Sequence, residues 1–315
     1  MSAPRPAEAG RPPWGSSQVA KPQLLESAPR PTEAGRSPWG SSKVAKPHLL
    51  ESCLLSASGI SKSYGGVKAL DAVSIEVQAG SITGLIGPNG SGKSTLFDCI
   101  CGFQRSDAGV VTLAGESLQG LSAQAIARKG VRRTFQQLRV FPALSVRDNL
   151  LTSAQSAPGF GYVQELLRLP SVRAHERAMR ERADAMLEEI RLTSLAQVLA
   201  GHLSYGQKKL LELGMALMTE PRLLLLDEPM AGVNPSLVED LKAELQRVND
   251  RGIALLIVEH NLKLVFDLSH QVYVLEQGRV LMKGTPRQVS NDERVMQAYL
   301  GVRQTAGAEQ GGAID

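Results

Sequence analysis

A nine-residue segment, Gly87-Pro88-Asn89-Gly90-Ser91-Gly92-Lys93-Ser94-Thr95, constrains this chain more than any other stretch. It has the G-x-x-x-x-G-K-[ST] spacing, between a short apolar run, SITGLIG over Ser81–Gly87, and an apolar helical stretch opening at Ser94. Strand, glycine turn and helix in that order form a phosphate cradle. The glycines let successive amides curl around phosphate oxygens, and the helix N-terminus adds the positive end of its dipole. Lys93 is placed to neutralise the β- and γ-phosphates, and Ser94 to ligate Mg²⁺. A glycine-rich structural turn is the plainer alternative, but both flanks suit the phosphate reading.

Two more apolar runs, Arg222–Asp227 (RLLLLD) and Ile253–Val258 (IALLIV), read as strands covered on both faces. With helical stretches between the runs, the expected class is α/β with parallel strands. The first run continues into Asp227-Glu228-Pro229, so a buried strand delivers two carboxylates to its C-terminal edge, where ligands of open α/β sheets bind. Asp227 would hold Mg²⁺ directly or through water, and Glu228 would orient and deprotonate an attacking water. Alone, these motifs indicate a P-loop ATPase, a GTPase or a small-molecule kinase.

The remaining composition narrows the setting. Ser2–Glu26 recurs almost unchanged as Ser27–Glu51, differing only at positions 7, 12, 18 and 23. Two copies rich in Pro, Gly, Ser and Ala read as a disordered tail over 1–52, with a docking segment anchored by Trp14 and Trp39 as the alternative. The tail carries seven Lys/Arg against four Asp/Glu, leaving 28 against 27 in the body, so a nucleic-acid-sized charge excess is absent there. Cys53, Cys99 and Cys101 fit neither a disulfide framework nor a zinc spacing, which suggests a reducing, bacterial-type cytoplasm. Cys99 and Cys101 read as buried packing on the helix after the phosphate loop. No apolar run approaches the roughly 20 residues of a membrane span, so any membrane partner is another chain. An amphipathic helix is expected over Ala174–Ile190, with Ala178, Met179, Ala183, Met186, Leu187 and Ile190 on its apolar face. The stretch after Gly301 is expected to be a mobile tail over 302–315.

Leu203-Ser204-Tyr205-Gly206-Gln207 precedes the helical stretch Lys208–Met218. Read by itself, Ser204 is a helix N-cap. In order with the phosphate loop and the 222–229 strand, it resembles the signature motif of the ABC ATPase family. The resemblance spans residues 54 to about 300. It implies a P-loop NTPase (RecA-like) ABC core over 53–301, with a small antiparallel β region and an inserted α-helical subdomain at about 138–215.

It also implies ATP and Mg²⁺ as ligands and a head-to-tail pair of ATPase subunits, homo- or heterodimeric. Ser204, Gly206 and Gln207 would then act on the ATP held by the partner. Tyr64 in SKSYGG resembles the aromatic that stacks on adenine, and Gln136 in RTFQQ the glutamine that reaches Mg²⁺ and water, with Gln137 leaving that register open by one. His260 in LLIVEHN resembles the switch histidine at the γ-phosphate. Asn234 departs from the family, in which many members have aspartate there.

The A-G-x-N-P form, the tyrosine of LSYGQ and the opening SKSYGGVKALDAVS resemble the branched-chain amino-acid importer ATPases, with urea or amide importers and lipopolysaccharide exporters as near relatives. That subgroup implies transmembrane permease subunits, an indirect periplasmic binding protein and a peripheral position on the cytoplasmic face of the inner membrane. No nucleic-acid partner is expected. A soluble ABC ATPase acting on nucleic acid or the ribosome is the rival, disfavoured by a single cassette without sustained heptads.

Overall fold

The computed structural model describes residues 53–134, 139–154 and 170–299. The expected tails at 1–52 and 302–315 lie outside them, as do Gln136 and Gln137.

Two sheets organise the described chain. The first is antiparallel, in the order β2 (Val67–Gln78), β1 (Cys53–Tyr64), β4 (Ala108–Leu113), β5 (Glu116–Ser117). β1 and β2 meet at the two-residue turn Gly65–Gly66, where Tyr64 pairs with Val67. Both glycines have positive φ, 52° and 88°, the requirement of the tight hairpin whose twist matches its strands.

The second sheet runs in the order β10 (Arg279–Gly284), β9 (Gln271–Glu276), β3 (Ile82–Ile86), β8 (Ala254–Val258), β7 (Leu223–Asp227), β6 (Val131–Arg133). β9, β3, β8, β7 and β6 are parallel and β10 is an antiparallel edge. All residues of β3, β7 and β8 are buried, which explains their largely apolar character, broken by Thr83 in β3 and by Asp227 at the tip of β7. One face meets the first sheet through a core that includes Leu55, Ile75, Phe97 and Tyr273. There the Tyr273 hydroxyl accepts the Glu76 amide at 3.0 Å, so the ring's polar end is satisfied across the two sheets. The other face packs Ile86, Val265, Val272 and Val274 against Val289 and Val295.

Among the described residues the helices are α1 (Lys93–Ile100), α2 (Ala123–Arg128), α3 (Val146–Ala154), α4 (Pro170–Glu189), α5 (Tyr205–Leu217), α6 (Pro235–Asp250), α7 (Leu262–Leu268) and α8 (Pro286–Ser290). Between β6 and β7, the described chain is helical in α3, α4 and α5, with short 3₁₀ turns. α3 packs on both α4 and α5, and Leu150, Met186 and Ile190 crowd Gly214, where a side chain would require these neighbours to shift.

α4 starts upstream of the expected Ala174. Its burial concentrates in the second half, at Ala183, Met186 and Leu187, with Ile190 just beyond. Ala178, expected on the apolar face, is exposed, whereas Val172 near the start of the helix is buried. Cys99 and Cys101 are buried in the main core, and burial pushes their thiols up to about 11 and about 12. They are inert packing groups. Among the described residues, no helix is long and apolar enough to cross a membrane.

Candidate functional site

The strand order decides which residues meet. β3, β8, β7 and β6 are adjacent, so their C-terminal ends form one row. β3 ends at the 87–95 loop, β8 leads into Glu259 and His260, β7 ends at Asp227 with Glu228 next, and β6 ends at Arg133.

The loop is held by backbone constraints. A Cβ at Gly87 would run into the carbonyl of Leu275, and one at Gly92 into the carbonyl of Ala69. Only glycine fits these approaches. The Gly278 amide braces the loop from the β9–β10 turn, donating to the Ser91 carbonyl at 3.0 Å. Lys93 is buried, and its Nζ donates to the carbonyls of Gly87 and Pro88, both at 2.8 Å. Burial lowers its pKa, while the charges of Glu228 and Asp227 oppose that shift. Beside the loop, at the N-terminus of α1, lies a cleft of about 370 Å³ lined by Lys93, Ser94, Thr95, Glu228 and His260. The first turn of α1 carries no acidic residue to compete for its free amides.

Glu228 has a left-handed backbone at φ 50°. For a non-glycine residue this costs roughly 1–2 kcal/mol. Its amide donates to the Val258 carbonyl at 2.9 Å, and its Oε1 lies 2.6 Å from His260 Nε2. Beneath this pair, Glu259 is 4% exposed. Its Oε1 accepts the Met230 amide at 2.8 Å and its Oε2 the His260 amide at 3.3 Å. Burial pushes the Glu259 carboxyl up, aided by the nearby Glu228 charge and opposed by those two amides.

Asp227 is buried, and its Oδ2 accepts from Arg133 Nη2 at 2.9 Å. The same guanidinium pairs through Nη1 with Asp98 of α1 and lies over the Phe97 ring. Burial works against the Arg133 charge, and the two carboxylates more than offset it, so its pKa rises. Arg133 and Glu259 were not legible as site residues. Their only sequence signals are a charged residue inside a short strand, VRRTFQ, and another ending an apolar strand, LLIVEHN.

Ser204 caps α5. Its Oγ accepts the Gln207 amide at 3.3 Å while Gln207 Oε1 accepts the Ser204 amide at 2.9 Å. The helix therefore starts at Tyr205, ahead of the expected Lys208, and Gly206 sits within its first turn. A side chain at Gly206 would strike Leu237 of α6. Ser204, Gly206 and Gln207 do not line their own chain's cleft, nor does Tyr64. Tyr64 is exposed at the end of β1, with the Lys62 ammonium 5.5 Å from its ring centroid. Asn234, the family departure, has a structural role here: its side chain caps α6 by accepting the Ser236 amide at 3.0 Å.

A family model described as ABC transporter matches residues 70–231, and a second, described as branched-chain amino acid ATP-binding cassette transporter, matches 279–304. The chain belongs to the ABC transporter ATP-binding family. This ABC ATPase is 40% identical over 249 residues to the high-affinity branched-chain amino acid transport ATP-binding protein BraF of Pseudomonas aeruginosa, covering 79% of this chain and 98% of BraF. It is 40% identical over 251 residues to LivG of Escherichia coli, with the same coverage. Among solved structures, an ATP-binding cassette of an ABC transporter in its ADP conformation matches with a TM-score of 0.70 and 36% identity, over 79% of this chain and 99% of that one. The ABC ATPase thus has a nucleotide-binding fold, with its oxygen and nitrogen donors gathered at one sheet edge.

Proposed function

We propose that this ABC ATPase powers import of branched-chain amino acids across the inner membrane. It would work as one of two ATPase subunits beneath transmembrane permease subunits, on the cytoplasmic face, with a periplasmic binding protein acting through the permease. The observation that carries the hydrolytic part is the cleft shared by Lys93, Glu228 and His260. The cargo assignment is supported by the names of the 40%-identical relatives and by the match at 279–304. A 34%-identical relative, LptB of Haemophilus influenzae, is named for lipopolysaccharide export, which makes that the competing reading.

In this mechanism the backbone N–H groups of the 87–95 loop, Pro88 excepted, and the Lys93 ammonium hold the triphosphate, and Tyr64 stacks on the base. The signature residues Ser204, Gly206 and Gln207 of the second subunit close over the γ-phosphate, excluding water from the site. Glu228 takes a proton from the attacking water as its oxygen bonds to the γ-phosphorus in line with the departing ADP. His260 keeps the Glu228 carboxylate aimed and donates to the γ-phosphoryl oxygens. The donor set of Ser94 and Asp227, with Gln136 from outside the described residues, is all oxygen and so suits Mg²⁺. When bound there, Mg²⁺ supplies charge neutralisation of the β- and γ-phosphates. Loss of the γ-phosphate removes what both subunits grip, and the pair opens.

The test is to isolate the protein from native membranes with its spanning subunits and reconstitute them with the co-purifying binding protein. ATPase activity stimulated by leucine, isoleucine or valine through that protein supports import. Co-purification with lipopolysaccharide-carrying subunits, and no response to amino acids, overturns it.

A further inference from the structure

We infer that Glu259 is a positioning residue for hydrolysis: its buried carboxylate clamps the Met230 amide and thereby fixes the left-handed turn that sets Glu228 against His260. The inference rests on reading Glu228 as the general base.

At the end of β7, the ladder to β8 closes with Asp227 opposite Val258, and the Glu228 amide adds one further bond to the Val258 carbonyl. Beyond that the chain must turn away at once, and Glu228 does so at φ 50°. A strained conformation of this kind persists only where its surroundings over-determine it. Two residues on, Met230 is itself buried, so its amide needs an acceptor inside the protein. Glu259 Oε1 supplies it from the next strand, at 2.8 Å.

The other Glu259 oxygen accepts the amide of His260 at 3.3 Å. One carboxylate therefore joins the backbone just after Glu228 to the backbone of His260. Their side chains meet 2.6 Å apart above it. A carboxylate that is 4% exposed is expensive to bury, and a fold needing only an acceptor for one amide could use a backbone carbonyl. Two acceptor oxygens on one side chain span both amides, and that fixes the spacing of the two strand ends on which the Glu228–His260 contact depends.

The experiment uses the full-length chain and compares Glu259→Ala and Glu259→Gln with wild type. It measures nucleotide binding, kcat and KM for ATP, and the side-chain ¹⁵N signals of His260, assigned with a His260→Ala variant. E259Q retains an oxygen for the Met230 amide; E259A does not. E259A is expected to lose kcat on the order of ten- to a hundredfold, as for a displaced catalytic group, while KM changes by no more than about threefold. Its His260 signals should move to where Glu228→Ala puts them, and E259Q, which keeps an acceptor for Met230 but turns an NH2 toward the His260 amide, should fall between E259A and wild type in both kcat and His260 signals.

Should E259A fail to fold, Glu259→Asp carries the test, because its shorter arm withdraws from Met230; the same loss of kcat and the same His260 displacement are expected. Unmoved His260 signals in E259A or E259D, or a kcat within about twofold of wild type, overturn the inference. A Glu228→Gln variant that hydrolyses ATP normally would sink the general-base reading, whereas displaced His260 signals in E259A would still support the clamp.

Discussion

Nε2 of His260 and Oε1 of Glu228 are 2.6 Å apart, although 32 residues separate them in sequence. Their strands are neighbours in the sheet, and the histidine is the more exposed partner, with its side chain 45% exposed against 15% for the glutamate. A carboxylate held by a hydrogen-bond partner at the rim of a cleft has a defined aim, which is what the proposed in-line attack by water requires.

Glu228→Gln should therefore keep nucleotide affinity and lose turnover by roughly 10²–10⁴-fold, the usual scale of general-base catalysis. Equilibrium binding of a fluorescent ATP analogue alongside steady-state hydrolysis checks this. Near-normal kcat would reassign the base.

Arg133→Met should destabilise the fold by about 3–5 kcal/mol, because Asp227, with its side chain 8% exposed, would be left charged and unpaired. Asp98→Asn should cost much less, since Asp98 is 34% exposed and water can replace the lost contact. Urea titrations of the two variants give the comparison, and equal costs would contradict this account of the network.

The stability of wild type relative to Glu259→Gln should depend on pH. The folded-state pKa of Glu259 is raised above its ordinary 4.5, chiefly by burial. The folded chain thus holds this proton more tightly than the unfolded chain. The resulting stabilisation is fully present below pH 4.5 and is lost as pH rises through the folded-state value. E259Q lacks that loss, so it should gain on wild type as pH rises from 4.5, measured by urea midpoints across the range. Parallel curves would refute it.

Ser204→Ala separates two roles of one hydroxyl. Loss of the cap on α5 should cost about 1 kcal/mol in stability. In a Glu228→Gln background, it should also abolish the ATP-dependent pairing of subunits seen by size-exclusion chromatography. A stability loss without loss of pairing would confine Ser204 to capping.

The central strands were legible because their burial on both faces makes them short, largely apolar runs. The phosphate loop was legible because its glycines, lysine and flanking elements are contiguous. The antiparallel sheet was expected only through family resemblance: β1 alternates poorly, with buried, intermediate and exposed residues in irregular order along its 12 residues. α5 starts at Tyr205 rather than at the expected Lys208 because Ser204 and Gln207 bond to each other's backbone, a local cap that adds no apolar periodicity. Arg133 and Glu259 stayed hidden for a different reason. Arg133 meets Asp227 across 94 residues and Glu259 meets Met230 across 29, and no local pattern records such partners.

The pairing of Asp227 with Val258 has an implication for how this protein tolerates change. Side chains on a strand alternate between faces, so inserting or deleting a single residue anywhere in Leu223–Asp227 would exchange the positions of the acid and the leucine before it. The damage would reach the cleft from several residues away without touching any group that handles nucleotide. The length of this strand is therefore constrained by the acid at its tip, independently of which side chains fill its core.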